Sequence, residues 1–239
     1  MVRLFEITEE MLGDYNQIAN QLNTYALEPL INRFNGSYAR ENLYHLSSET
    51  QHLSKREMSA IRSRVGLLVE YAIISILHET VDQDTSGRCK VTFNTTNTFA
   101  DFFIRDKPGD QIAFRIDVKA FQSASAEKSA RFDTIERDID KARDFLFVAR
   151  WDWKREKLDN IEIEYPIIMD AVFVSCAQFA KERDFKRINN GGGFDSNGLP
   201  LASTGKPDTN FGKMHRLVDE TRLDSLDLDP WVRKLQEMA

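Results

Sequence analysis

Cysteine is scarce in this chain. Only Cys89 and Cys176 occur, far apart in sequence, which excludes a disulfide framework and a cysteine-rich zinc site and fits a reducing, cytoplasmic setting. The four histidines, His45, His52, His78 and His215, show neither the HExxH pattern nor any other paired ligand spacing. Long apolar runs are also missing. The opening Met1-Val2-Arg3-Leu4-Phe5-Glu6 is not that of a signal peptide. The most apolar stretch, Gly66 to Leu77, is interrupted by Glu70 and is shorter than the ~20 residues that span a bilayer, so no membrane association is expected. Positive charge is not in excess: 32 Lys and Arg face 38 Asp and Glu, a net charge of −6. That excludes a polycation coated with basic residues, but not a local basic groove, because charge acts within a Debye length of ~10 Å.

The composition that remains is that of a soluble globular protein, with 239 residues, 41% hydrophobic and 29% charged. At about 100–200 residues per domain, it reads as a single domain over 1–239. Its parts are a helical N-terminal region (1–56), a core (57–188) and a loop-rich extension (189–239). Residues 4–56 read as helical, with turn breaks near Glu28-Pro29 and Asn35-Gly36-Ser37. From Glu57, apolar residues at Ile61, Val65, Leu68, Val69, Ala72, Ile73, Ile76 and Leu77 keep a 3.6-residue period and predict a helix. After the turn-rich 82–87, the period shifts towards 2. Strands are expected over Cys89–Thr95, Thr98–Arg105 and Ile112–Phe121, the last two joined as an antiparallel hairpin by Lys107-Pro108-Gly109-Asp110. A helix over Phe132–Arg143, capped near Asp133, should follow. Then come a strand at Phe145–Arg150, a strand at Tyr165–Cys176 and a helix at Ala177–Arg187. The order predicts a mixed α/β fold with a central sheet flanked by helices. A further helix is expected after Asp229-Pro230.

Three acids and a lysine stand out on these elements. Asp101 opens the second strand. Asp117 and Lys119, two apart on the third, leave the same face, opposite Phe114, Ile116 and Val118. Hairpin pairing would place Asp101 beside Asp117. Glu70 has Gly66, Leu67, Ile73, Ile74 and Leu77 as helical neighbours, and a carboxylate surrounded in this way needs a cation or a proton to stay buried. Two carboxylates on adjacent strands can hold a hard divalent ion through oxygen ligands, which orients a scissile phosphate and acidifies a water. A lysine on the same face can stabilise the charge that develops.

Ala100-Asp101, fifteen residues, then Asp117-Val118-Lys119 resembles the PD-(D/E)xK nuclease motif. The flanking order of elements is similar to that superfamily's αβββαβ core, and the length and embellished ends look most like type II restriction endonucleases. The resemblance spans 57–176. It implies that Asp101, Asp117 and the Val118 carbonyl are metal ligands, that Lys119 is the catalytic lysine, and that Glu70 serves a second metal or a water. It further implies Mg²⁺, with Mn²⁺ as substitute, no organic cofactor, and sequence-specific hydrolysis of double-stranded DNA. Alanine stands where the family has proline. Two other Asp-x-Lys tripeptides, Asp152-Trp153-Lys154 and Asp184-Phe185-Lys186, lack the partner aspartate and the helix acid.

Basic and amide residues near the strand could contact DNA: Gln122, Ser123, Ser125, Lys128 and Arg131. A second group, Asn189, Asn190, Lys206, Asn210, Lys213 and Arg216, lies in or beside a stretch holding six of the eleven glycines. Trp151 and Trp153 read as core or dimer contacts. A homodimer is expected, because a two-fold assembly matches a palindromic duplex. The rival readings are a nuclease of DNA repair, recombination or phage DNA processing on the same motif, and a non-catalytic DNA-binding module on the same fold.

Overall fold

The computed structural model of the chain describes residues 22–84, 89–96, 98–106, 111–123 and 130–213. Residues 22–42 form one helical stretch rather than segments separated by turns. Helices α1 (Glu28–Arg33) and α2 (Ala39–Asn42) alternate with wider π turns at Leu22–Leu27 and Phe34–Tyr38. Pro29 breaks nothing because it sits in the first turn of α1, where a missing N–H is tolerated. Asn35-Gly36-Ser37 stays helical because the fully buried Phe34 and Ala39 anchor the stretch on both sides, and packing overrides weak propensity. The π turns take more residues per turn than an α-helix and so bring Asn23 and Asn35, twelve apart, onto one face. Each amide both donates to and accepts from one strand residue's backbone: Asn23 with Phe173 and Asn35 with Ile168, all at 2.8 Å. These side chains cover a strand edge that would otherwise be open to intermolecular pairing.

A two-residue strand, β1 (His45–Leu46), and the short α3 (Ser47–Thr50) lead to the long α4 (Lys55–Asp84). Its start is a capping box. Ser54 Oγ accepts from the Glu57 N–H at 3.3 Å, and the Glu57 carboxylate accepts from the Ser54 N–H at 2.8 Å. Val69, Ala72, Ile73, Ile76 and Leu77 bury the expected face, whereas Leu68 stays exposed.

The sheet is mixed and six-stranded, ordered β1-β6-β5-β4-β3-β2. Strands β2 (Cys89–Phe93), β3 (Phe102–Asp106) and β4 (Gln111–Gln122) form an antiparallel meander, and β3 and β4 are antiparallel neighbours as the sequence predicts. The turn 107–110 lies outside the described residues. Strand β5 (Asp144–Leu158) runs parallel to β4 and antiparallel to β6 (Ile161–Ser175), and β6 carries β1 on its far edge. Along β5, Phe145, Phe147 and Ala149 join a core with α4 and the N-terminal helical stretch. Leu146 and Val148 join a second core with α5 (Cys176–Asn189) on the opposite face. Helices therefore flank both faces. Trp151 is buried in the first core, and Trp153 packs against it.

Two expectations are corrected. No helix spans 132–143; only one 3₁₀ turn, Glu136–Asp138, forms there. The carbonyls of Phe132 and Thr134 accept from the buried Arg183 guanidinium at 3.0 and 2.9 Å, and the Phe132 N–H donates to Gly212 O, so these groups are not available for helical bonds. Asp133 caps nothing: Ile135 precedes the turn, with no side-chain cap. Strand β5 is also much longer than the expected Phe145–Arg150, and β6 begins at Ile161 rather than Tyr165. They are two arms of one hairpin closed at Asp159-Asn160, both with positive φ, as a tight primed turn requires. Among the described residues no helix is long and apolar enough to cross a membrane. The N-terminal residues 1–21 and the helix expected after Pro230 lie outside the described residues.

Candidate active site

Strand β4 outruns β3. Their pairing begins at Phe102 opposite Ile116, so the N–H groups of Val118 and Ala120 on that edge face no strand. Two carboxylates stand in for one. Asp101 Oδ2 accepts from the Val118 N–H at 2.6 Å, and Glu70 Oε1 accepts from the Ala120 N–H at 3.2 Å. The acid on α4 and the acid before β3 are thereby fixed along one strand edge. Asp117 and Lys119 come from β4 itself. Lys119 Nζ is 2.7 Å from Asp117 Oδ2, 4.0 Å from Asp101 Oδ2, and donates to the Val118 carbonyl at 3.2 Å. All four residues singled out in the sequence thus converge.

The loop before β3 aims Asp101. Ala100 has φ +80°, a left-handed conformation that side chains disfavour. Proline fixes φ near −65° and cannot adopt it, so this backbone excludes proline at position 100. Asn94 holds the loop. Its amide donates to the Ala100 and Thr98 carbonyls at 2.8 and 3.2 Å, and its Oδ1 accepts from the Thr96 N–H at 3.0 Å. The Asp101 N–H completes the frame by donating to Ile116 O at 3.1 Å.

Burial and neighbouring charge perturb Asp117, Glu70 and Lys119. Desolvation pushes the Asp117 carboxyl up to about 7, against the pull of the Lys119 ammonium, and the Asp101 charge adds to the rise. Desolvation likewise raises Glu70 to about 7, offset in part by Lys119 and the Ala120 N–H. Burial alone would lower Lys119, but Asp117, Asp101 and Glu70 together hold it above the usual ammonium value. With every group ionised, three negative charges face one positive, an arrangement that a cation would stabilise.

Among the described residues no three or more His, Cys, Asp and Glu side chains are arranged as a metal cage. Mg²⁺ does not need one. It is commonly bound through one or two carboxylates, with waters and substrate phosphate oxygens completing the shell. Asp101, Asp117 and the Val118 carbonyl are hard oxygen donors of that kind, and the excess negative charge fits a divalent ion.

The remaining candidates fall into separate places. Gln122 and Ser123 are buried at the end of β4. Gln122 Nε2 donates to Asp152 Oδ1 at 2.9 Å, and the Ser123 N–H donates to Trp151 O at 2.9 Å. Arg131 is exposed and bridges to Lys213, with Nη2 donating to Thr209 O at 3.1 Å. Asn189, Asn190 and Lys206 are exposed, and Asn210 N–H donates to Asp208 Oδ1 at 2.8 Å. The glycine-rich stretch is pinned to α5 by Arg187, which donates to Gly193 O at 3.2 Å and to Asp208 Oδ2 at 2.6 Å. At Gly212 a Cβ would lie 2.2 Å from Phe132 O, so only glycine permits the loop to close on Phe132. Phe132 in turn meets Phe99, two residues before Asp101, which links the Arg131–Lys213 surface to the Asp101 loop. Ser125, Lys128 and Arg216 lie outside the described residues.

The sequence reading missed the wall of the site. A cleft of about 560 Å³ opens beside Glu70 and Asp101, lined also by Tyr71, Phe93, Thr95 and Thr96. The polar run Asn94-Thr95-Thr96 directly before the motif was the signal available. No protein-family model matches the chain, and comparison with curated proteins and with solved structures found no match.

Proposed function

We propose that the protein is a Mg²⁺-dependent endonuclease of the PD-(D/E)xK type, with a restriction-endonuclease-like core, which cuts double-stranded DNA at a specific site as a homodimer. The convergence of Asp101, Asp117, Lys119 and Glu70 at the overhanging end of β4 carries this reading. Asp101, Asp117 and the Val118 carbonyl would hold Mg²⁺, or Mn²⁺ in its place. Bound there, the ion supplies Lewis-acid polarisation of the scissile phosphate and lowers the pKa of a water. Lys119 remains an ammonium and stabilises the negative charge that grows on the phosphate oxygens. Glu70, whose carboxyl is raised to about 7, takes the proton of the attacking water as its oxygen bonds to phosphorus, and the leaving oxygen departs with the bonding pair and takes a proton from solvent water.

Arg131, Lys213, Asn190, Asn210 and Lys206 are the proposed DNA-facing residues, along with Ser125, Lys128, Asn189 and Arg216. Gln122 and Ser123 serve instead to fix the end of β4.

Digestion of a sequenced plasmid with Mg²⁺ and with EDTA tests the proposal. Discrete bands with Mg²⁺ alone, absent for Asp101→Ala although it still binds DNA, are the expected result. Nicking or end resection instead would favour the repair-type reading, and intact DNA in both Mg²⁺ and Mn²⁺ would refute nuclease activity.

A further inference from the structure

Tyr71 follows Glu70 on α4, and Phe93 ends β2. Their rings meet at 5.9 Å, tilted by 36°, and the residues remain 51% and 46% exposed. Neither belongs to a core cluster, yet together they wall the cleft that Glu70 and Asp101 also line. Leu67, one turn before Tyr71, extends the apolar wall. The volume, about 560 Å³, is that of a small-ligand pocket.

We propose that this cleft receives one unstacked nucleobase of the DNA, next to the phosphate positioned at the acid cluster. The proposal rests on the nuclease reading and specifies the substrate that the site prefers. A base-paired stack presents only base edges to a protein, whereas ring faces such as those of Tyr71 and Phe93 interact with a base that has left the stack. The two rings touch each other at 5.9 Å, which leaves no room for a base between them, so the base lies across their exposed faces.

Asn94, at the rim, does not read base identity. Asn94 spends its amide on the Ala100 and Thr98 carbonyls and its Oδ1 on Thr96. Recognition rests on stacking against the Tyr71 and Phe93 rings, a contact that tolerates any base. Discrimination falls on pairing state, because an unpaired base enters without the cost of breaking a pair.

The test compares two duplexes of the same sequence, one fully paired and one with a single unpaired nucleotide. Affinities are measured by fluorescence anisotropy in EDTA and cleavage separately in Mg²⁺. The wild type is expected to bind the duplex with the unpaired nucleotide about tenfold more tightly. Tyr71→Ala/Phe93→Ala should lose that ratio, and the ring-retaining Tyr71→Phe/Phe93→Tyr should keep it. The same ratio in the alanine pair, or a wild-type ratio near one, overturns the proposal. Cleavage of paired DNA with a ratio near one overturns the cleft assignment alone. A full ratio with no cleavage of either duplex leaves the cleft standing and overturns the nuclease reading.

Discussion

Asp117→Asn is expected to stabilise the metal-free protein more at pH 8 than at pH 5, by about 3 kcal/mol. The folded state holds the Asp117 carboxyl near 7, against an ordinary value of 3.8. A carboxyl whose pKa is raised by folding keeps a proton that the unfolded chain has released. Its contribution is therefore fully present below about pH 4 and is lost as the pH climbs through about 7. About two units of that interval lie above pH 5, which at about 1.4 kcal/mol per unit amounts to about 3 kcal/mol. Glu70, raised from 4.5 to about 7, acts in the same direction. Because the two groups repel each other, their effects combine to less than their sum. Lys119 stays charged throughout this range and leaves the slope unaltered. Asparagine removes the desolvated charge while keeping the side-chain shape, and Lys119 retains Asp101 at 4.0 Å. Urea denaturation in EDTA at pH 5 and pH 8, on wild type and variant, measures the difference. Mg²⁺ added at pH 8 should raise the stability of the wild type and do much less for the variant. An equal pH dependence in both proteins would refute the assignment of a buried, charge-strained Asp117.

Three further outcomes are expected. Arg115→Met should cost about 3–5 kcal/mol by urea denaturation, because the guanidinium grips the fully buried Asp144 at 2.5 and 2.6 Å and its loss strands that charge. Ala100→Pro, which restores the motif's usual first residue, should destabilise the protein by about 3 kcal/mol and abolish cleavage, since φ +80° is closed to proline; a folded, active variant would show that the loop is wrongly described. Asn160→Gly should stabilise by about 0.5–1 kcal/mol in thermal unfolding, because position 160 has φ +67° in a two-residue hairpin turn; a lower melting temperature would contradict that turn geometry.

The legible parts of the fold were those with a strong local period or turn. The apolar spacing from Ile61 to Leu77 identified α4, and alternation around Phe114, Ile116 and Val118 gave β4 its buried face. The convergence of Asp101, Asp117, Lys119 and Glu70 was legible because three of them sit on those two elements and Asp101 is a hairpin neighbour. The long β5–β6 hairpin was not, because the outer end of β5, Lys154 to Leu158, is mostly polar and exposed, so pairing with β6 rather than burial of β5 forms it. The helix expected at 132–143 failed because Arg183, distant in sequence, claims the carbonyls it would have used. The hydrogen bonds of Asp101 and Glu70 to β4 were equally hidden: they depend on where β3 stops, which is a property of register and not of composition.

The catalytic role of the central lysine is tested most directly by the rate of plasmid cleavage in Mg²⁺ for wild type and Lys119→Ala. Nζ lies 2.7 Å from Asp117 and 4.0 Å from Asp101, so the account predicts Mg²⁺-dependent cleavage by the wild type and a loss of about 10²–10³-fold in the variant, with DNA binding retained. A Lys119→Ala protein that cuts at the wild-type rate would contradict it.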